Sequence, residues 1–186
     1  NDNTPSITSS ATFSAAENQT AIGTVTATDA DGDTVTYSLS GSDASSMSIN
    51  SSSGVLTFNS APDYETKSSY SATVTASDGT NSTSQAITVS VTDVDDVAPV
   101  FTSSATFSAA ENQTAIGTVT ATDVDTDNSS ITFSISGSDL SITSAGVLTF
   151  ASAPDYETKS SYSATVTASD GTNSTSQAIT VSVTDV

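Results

Sequence analysis

Paired acidic residues are the feature of this sequence that could do chemistry. The stretch 93–99 places three aspartates within four residues and then ends its acidic run at a proline. Elsewhere acids are spaced two apart, as Asp63 and Glu65 are. In extended chain, residues i and i+2 point to the same side, so each pair presents several oxygen atoms to one cation. The pattern therefore indicates sites for a hard metal ion.

The overall composition is strongly acidic and lacks the usual catalytic residues. The 186 residues include 21 Asp and Glu against two Lys, with no Arg, His or Cys, which gives a net charge of −19. Such a charge repels nucleic acid, so we expect no nucleic-acid partner. Without His or Cys, the common nucleophile–base pairs are missing, so we expect no enzyme. Paired carboxylates also occur in glycosidases, but no aromatic-lined cleft is evident here.

The chain consists of two copies of one segment. Two long stretches recur without change: residues 8–29 as 102–123, and residues 60–94 as 152–186. A repeat of this length exceeds a solenoid unit and matches a complete β-sandwich. We therefore expect a first domain over 1–94, whose residues 1–5 are the remnant of a preceding linker, and a second over 95–186. Residues 93–99 form the linker between them.

Within each copy, apolar and polar residues alternate with a period of two, which predicts β-strands. Seven short runs fit this pattern in the first copy, around Phe13, Val25, Tyr37, Met47, Leu56, Val74 and Val89. Turns rich in Gly, Asn, Asp and Ser join them. The prediction is an all-β fold of two tandem seven-stranded Greek-key sandwiches of the Ig-like type, joined end to end.

An odd number of strands puts the start and the end of each sandwich at opposite ends, which we call its N-terminal and C-terminal poles. The loops then distribute the acids between these poles. The C-terminal pole of the first sandwich and the N-terminal pole of the second are expected to meet at the linker. Nine carboxylates converge there: Glu17, Asp63, Glu65, Asp93, Asp95, Asp96, Asp123, Asp125 and Asp170.

This many carboxylates in one place require a counter-ion. Each pair costs about 1 kcal/mol at 4 Å in water, and more where water is excluded. Calcium takes roughly 6–8 oxygen ligands in irregular geometry, and the carbonyls of Val94 and Val97 add donors. We expect two or three calcium ions at the linker. The alternative, a solvated acidic surface, would scatter its acids, whereas 17 of the 21 occupy matching pole positions.

The order of these motifs resembles the cadherin repeat. The resemblance covers both copies and rests on Glu17, Asp29-Ala-Asp31, Asp63-Tyr-Glu65, Ala76-Ser-Asp78-Gly79 and the stretch 93–101. It implies three calcium ions in each linker. On the first-domain side the implied ligands are Glu17, Asp63, Glu65, Asp93 and Asp96; for the third ion they are Asp95, Asp123, Asp125 and Asp170.

The resemblance also implies ligands outside this set. Asn128 is the candidate for a carbonyl donor in the loop after the second strand, and Val97, where the family usually has Asn, offers only its carbonyl. A single calcium site at the N-terminal edge would use Asn1, Asn3, Asp29, Asp31 and Asp78. A half-site at the C-terminal edge, to be completed by a further repeat, would use Glu111, Asp155, Glu157 and Asp185.

The expected function follows from this resemblance. The near-identical copies, the many Ser and Thr and the scarcity of Lys resemble repeats of large bacterial surface or secreted adhesins. We expect an extracellular, calcium-stiffened spacer or adhesion module whose partners are neighbouring repeats. The alternative is direct binding, either homophilic or to polysaccharide. No apolar run approaches the roughly 18 residues of a membrane span, so we expect no membrane insertion by this fragment.

Overall fold

The computed structural model describes residues 3–125 and 128–186. The chain divides into two compact units, Asn1–Val94 and Asp95–Val186. In the described residues each unit is built from short β-strands and one turn of 3₁₀ helix, Ala44–Ser46 in the first and Asn128–Ser130 in the second. The all-β sandwich class that the alternation predicts is confirmed.

The first unit has nine described strands. They are β1 (Ser6–Ile7), β2 (Thr12–Ala16), β3 (Ala21–Thr24), β4 (Ala27–Thr28), β5 (Thr36–Ser40), β6 (Met47–Ile49), β7 (Val55–Phe58), β8 (Ser69–Ser77) and β9 (Ser82–Thr92). One sheet has the order β2-β9-β8-β5, another the order β3-β7-β6, and β1 pairs with β4 alone.

The second unit repeats this arrangement strand for strand. Its described strands are β10 (Val100–Phe101), β11 (Thr106–Ala110), β12 (Ala115–Thr118), β13 (Ala121–Thr122), β14 (Thr132–Ile135), β15 (Leu140–Ile142), β16 (Val147–Phe150), β17 (Ser161–Ser169) and β18 (Ser174–Thr184). The sheets run β11-β18-β17-β14 and β12-β16-β15, with β10 and β13 as a pair.

In each unit, each of the first two predicted strands is divided into two shorter strands. In the first unit these are β1 and β2, and then β3 and β4. In the first unit β1 pairs antiparallel with β4, whereas β2 runs parallel to β9. The chain changes partner between them, where the N–H groups of Thr8 and Ser9 both donate to Thr26 O at 2.8 and 3.4 Å. Ser10 Oγ then accepts the N–H of Thr12 at 3.0 Å, which starts β2.

A core of aliphatic side chains lies between the sheets of each unit. In the first unit Leu56, Val74 and Val89 are fully buried, and their counterparts Leu148, Val166 and Val181 are fully buried in the second. Burying one such side chain contributes about 1.5–3 kcal/mol. Because they alternate with Ser and Thr along the strands, one face of each sheet is apolar and the other polar.

A glycine allows a close backbone approach beside this core. Gly54 has φ +70°, and a Cβ on it would lie 2.1 Å from Val25 O. The Val25 N–H donates to Gly54 O at 2.9 Å. Gly146 stands in the same relation to Val119 O, at 2.2 Å. In each unit this contact therefore leaves no room for a side chain.

Strand pairing decides which loops share a pole. Because β2 is parallel to β9 and Ala16 lies opposite Thr92, both strands end at the same pole. Glu17 and Asp93, the residues that follow them, therefore lie at that pole. The loop that precedes β8 lies at this pole too, because Ser69, the first residue of β8, pairs with Ser90 near the end of β9. At the other pole, the antiparallel pairing of β1 with β4 brings the start of the unit beside the loop after β4.

Candidate metal centres

Glu17 organises the C-terminal pole of the first unit. Its side chain is only 3% exposed. Oε2 accepts the N–H of Tyr64 and Oε1 accepts the N–H of Val94, each at 2.8 Å. Glu17 therefore joins the end of β2 to the loop before β8 and to the last residue of the unit.

Two further acids lie beside Glu17. A carboxylate oxygen of Glu65 lies within 4.8 Å of one from Glu17, and one of Glu65 also lies within 4.8 Å of one from Asp93. A backbone hydrogen bond at Glu65 lowers its pKa, but desolvation and the charges of Glu17 and Asp93 outweigh that bond and raise the pKa above its ordinary value. Desolvation is the larger cause of this rise, and the charges of Glu17 and Asp93 add a repulsion that a bound cation would relieve.

Asp63 shapes the loop that presents Glu65. Its Oδ1 accepts the N–H of Thr66 at 3.2 Å, and its Oδ2 accepts the Thr66 hydroxyl at 2.9 Å. The Thr66 hydroxyl and then its N–H hold the pKa of Asp63 below its ordinary value. The N–H of Lys67 donates to Asp63 O at 2.9 Å and completes the turn.

Asp125 fixes the start of the second unit at its N-terminal pole. Its Oδ2 accepts the N–H groups of Asp96 and Val97 at 2.9 and 2.8 Å. Burial by itself would raise the pKa of Asp125, but the hydrogen bond with the Asp123 carboxyl and those two N–H groups lower it. Among the described residues, the buried Oδ1 of Asp125 has no hydrogen-bond partner.

Asp170 lies in the turn between β17 and β18 at the same pole. Its Oδ1 accepts the N–H groups of Thr172 and Asn173, both at 2.6 Å. Its Oδ2 is buried and finds no hydrogen-bond partner within the described part of the chain. The Thr172 hydroxyl donates to Asp95 Oδ2 at 2.9 Å, so the turn also contacts the start of the unit.

Asn128 lies close to Asp123, in the loop where a carbonyl donor is expected, and its side-chain oxygen accepts a hydrogen bond from the backbone. The N–H of Asp123 donates to Asn128 Oδ1 at 2.6 Å, and the N–H of Asp125 donates to Asp123 Oδ1 at 3.1 Å. Asn128 thus helps to fold the loop that carries both acids.

The N-terminal pole of the first unit brings together three acids. One oxygen from each of Asp29, Asp31 and Asp33 lies within 4.8 Å of the others. Asp29 and Asp31 belong to the predicted N-terminal edge site, whereas Asp33 belongs to none of the predicted sites. The Asp-Ala-Asp-Gly-Asp spacing is the signal that could have found it.

Other members of that predicted edge site lie at the same pole. The backbone N–H and the amide nitrogen of Asn3 donate to Asp31 at 3.0 and 2.8 Å. Asp78 Oδ1 accepts the N–H groups of Thr80 and Asn81 at 2.7 and 2.6 Å. Asn1 lies outside the described residues.

The C-terminal pole of the second unit repeats the arrangement around Glu17. Glu111 is 7% exposed and accepts the N–H groups of Tyr156 and Val186 at 3.1 and 3.3 Å. One oxygen from each of Glu111, Asp155 and Glu157 lies within 4.8 Å of the others. Asp185 is exposed and is not part of this group.

These clusters suit calcium in the chemistry of their donors. Each described cluster offers carboxylate oxygens, without His nitrogen or Cys sulfur, which is the donor set of a hard cation and not of zinc. Buried carboxylate oxygens that accept no hydrogen bond are costly unless a cation or water occupies the space beside them. Within residues 3–125 and 128–186, Asp29 Oδ2, Asp125 Oδ1 and Asp170 Oδ2 are such atoms.

Comparison with known proteins gives the family. The cadherin domain family matches residues 11–92 and 105–184. Human protocadherin Fat 4 is 37% identical over 180 residues, which is 89% of this chain and 4% of that protein. Human protocadherin-24 EC1-2 has a TM-score of 0.81 at 22% identity and 98% coverage of both chains. The protocadherin gammaB7 EC3-6 cis-dimer structure has a TM-score of 0.77 at 30% identity, covering 98% of this chain and 51% of that one.

The chain therefore belongs to the cadherin family, as a tandem pair of cadherin domains. Cadherin domains in general bind calcium, are extracellular and have no enzymatic activity, so the prediction that this chain is no enzyme is confirmed. The chain spans only a small fraction of Fat 4, and that relative is human, which lends no support to a bacterial origin. None of the helices in the described residues is long and apolar enough to cross a membrane.

Proposed function

We propose that this chain is a calcium-dependent cadherin pair that serves as a stiffened extracellular spacer and adhesion module within a longer cell-surface protein. Its domains are residues 1–94 and 95–186, and residues 93–99 are the calcium-binding linker. The observation that carries the proposal is the pair of buried carboxylate oxygens on Asp125 and Asp170 that have no hydrogen-bond partner among the described residues. Calcium is the cation that their all-oxygen surroundings suit.

The proposed ligands of the linker come from both units. From the first unit they are Glu17, Asp63, Glu65, Asp93 and the carbonyl of Val94. From the second unit they are Asp95, Asp96, Asp123, Asp125, Asn128, Asp170 and the carbonyl of Val97. The expectation that the two sets share two or three ions comes from the sequence, in which Val94 and Asp95 are consecutive residues.

The protein residues prepare these sites with hydrogen bonds of their own. Glu17 holds Val94 at the C-terminal pole of the first unit, and Asp125 holds Asp96 and Val97 at the N-terminal pole of the second. Bound calcium would supply the positive charge that offsets the repulsion between their carboxylates. Because calcium binds the folded units in preference to the unfolded chain, it also raises their stability by mass action.

Two further clusters are proposed as sites completed by neighbouring repeats. At the N-terminal edge one calcium ion would be bound by the predicted set of Asn1, Asn3, Asp29, Asp31 and Asp78, to which the structure adds Asp33. At the C-terminal edge Glu111, Asp155, Glu157 and Asp185 form half of a linker site. Glu111 accepts the N–H of Val186 there, as Glu17 accepts the N–H of Val94 in the first unit.

Small-angle scattering with calcium and with chelator tests the spacer function. We expect chelation to broaden the distribution of molecular dimensions while far-UV circular dichroism stays unchanged, because the units fold without the ion but lose their restraint. The double variant Asp125→Asn, Asp170→Asn should behave as the chelated protein does even in calcium. The matched control Asp155→Asn, Glu157→Gln removes two acids from the C-terminal edge and should keep the calcium response. Identical scattering with and without calcium would contradict the spacer function.

A second candidate function is direct binding, and one observation favours its homophilic form. The protocadherin gammaB7 EC3-6 structure, 30% identical to this chain, is described as a cis-dimer. Sedimentation velocity over a concentration series with calcium would reveal such a dimer here. A chain that stays monomeric at high concentration would contradict homophilic binding, and only the spacer function would remain. Polysaccharide binding and a bacterial source gain no support from the relatives and stay predictions; a glycan array addresses the first.

A further inference from the structure

Asn173 joins two parts of the second unit that are far apart in sequence. It lies half-buried in the turn between β17 and β18. Its side-chain nitrogen donates to Asp95 O at 3.2 Å and to Asp95 Oδ1 at 3.3 Å. Thr172 adds a third contact, from its hydroxyl to Asp95 Oδ2 at 2.9 Å. Two adjacent side chains of one turn therefore bind both the backbone and the carboxylate of Asp95.

The turn that carries Asn173 is closed by its own side chains. Asp170 Oδ1 accepts the N–H groups of Thr172 and Asn173. Ser169 Oγ donates to Asn173 O at 3.0 Å and accepts the N–H of Gly171 at 3.2 Å. Since these bonds fix the turn, they place the Asn173 amide against Asp95. The second oxygen of Asp170 has no hydrogen-bond partner in the described part of the chain.

We propose that Asn173 is a positioning residue for calcium binding, and the proposal rests on the calcium function above. Asn173 donates to Asp95, and Asp125 accepts the N–H groups of Asp96 and Val97. The segment 95–97 is thus ordered by hydrogen bonds that need no metal. A site ordered beforehand binds more tightly because less conformational freedom is lost on binding. Asn173 contributes this order and is not itself a ligand.

The first unit supplies a matched control. Its turn has the same sequence, and Asn81 Nδ2 donates to Asn3 O at 3.2 Å. Asn81→Ala therefore removes the corresponding asparagine amide at the N-terminal edge, where its partner Asn3 occupies the position of Val97 and not that of Asp95. It touches no proposed ligand of the linker, so linker affinity should stay at the wild-type value.

The test compares calcium affinity with the stability and mobility of the metal-free chain. Asn173→Ala, Asn173→Asp and Asn81→Ala would be titrated with calcium by calorimetry, in the full 186-residue chain. Loss of the Asn173 donor should lower the affinity for at least one calcium ion at the linker by about 3- to 10-fold. This factor corresponds to the free energy of one ordinary hydrogen bond. Asn173→Asp should weaken it more, because a carboxylate there repels Asp95.

Measurements in chelator separate positioning from a merely structural role. The melting temperature of Asn173→Ala without calcium should fall by no more than about 8 °C, the shift that roughly 1 kcal/mol produces in a domain of this size. Nuclear magnetic relaxation should show greater mobility of the Asp95 amide. Unchanged affinity in Asn173→Ala, with wild-type uptake intact, would overturn the positioning role and leave the calcium function standing. A large fall in melting temperature with no change in Asp95 mobility would also overturn it. A wild-type chain that takes up no calcium would overturn both.

Discussion

The carboxylate of Glu17 accepts a hydrogen bond of 2.8 Å from the N–H of Val94, the last residue of the first unit. The second unit repeats the relationship between Glu111 and Val186, at 3.3 Å. Each unit therefore holds its final residue with a buried carboxylate, and this restraint needs no metal. In the first unit the restrained residue lies directly before the acidic pair Asp95-Asp96, so Glu17 also orders the backbone beside further candidate ligands.

Replacing either glutamate tests this restraint. Glu17→Ala leaves the N–H groups of Tyr64 and Val94 without their acceptor, which should cost about 1–3 kcal/mol of the free energy of unfolding. Glu111→Ala removes the equivalent pair of bonds in the second unit and should cost a similar amount. Urea denaturation in chelator measures both values. Two variants as stable as wild type would show that these bonds contribute nothing.

Calcium should stabilise the two glutamate variants to different extents. Wild type and Glu111→Ala are expected to gain stability from calcium at the linker, whereas Glu17→Ala should lose much of that gain because a proposed ligand is missing. The comparison uses the same denaturation experiment with excess calcium. An equal calcium-induced gain in Glu17→Ala and Glu111→Ala would count against Glu17 as a ligand.

The glycine at the close approach should not tolerate a side chain. Gly54→Ala would bring a Cβ to 2.1 Å from Val25 O at φ +70°, so we expect a loss of more than about 2 kcal/mol. Gly79 also has positive φ, +94°, but among the described residues no neighbouring atom lies within 4 Å of a Cβ there. Gly79→Ala should therefore show only the backbone strain of an L-residue at positive φ, roughly 1–2 kcal/mol. Thermal unfolding of the two variants measures the difference, and equal losses would refute the steric argument.

Asp43 should contribute to acid sensitivity. The Lys67 ammonium and then the Ser71 N–H hold the pKa of Asp43 below its ordinary value. A lowered pKa in the folded state gives stability that is present above about pH 4 and is lost as pH falls through the folded value. Asp43→Asn should therefore lose less stability than wild type as the pH is lowered below about 4, as followed by circular dichroism. Asp33→Asn, which removes one exposed charge without such a pair, is the control; an Asp43→Asn curve with the wild-type acid loss would contradict the prediction.

Much of the fold could be predicted because its physical cause is local. Alternation marks the strands wherever one side of a strand faces the core, as in β8 and β9. The change of partner between β1 and β2 leaves no such mark, because it depends on two N–H groups that share Thr26 O across a distance in sequence.

The candidate sites were only partly predictable for the same reason. Residue type and spacing suffice to select Glu17 and Asp125 as oxygen donors. Their burial and their backbone partners are set by strand pairing: Val94 is 77 residues from Glu17. The Asp-x-Asp-x-Asp spacing carries a signal for Asp33, but its grouping with Asp29 and Asp31 depends on the conformation of the turn that joins them. The contacts of Asn173 were missed because an amide carries no metal-binding signature of its own.

Counting bound calcium ions tests the central claim most directly. Isothermal titration calorimetry of the 186-residue chain would be run beside the variant Asp125→Asn, Asp170→Asn. We predict saturable uptake that includes two or three ions at the linker, and the loss of at least one of them in the variant. A wild-type chain with no saturable uptake, or a double variant that binds as many ions as wild type with equal affinity, would contradict the account.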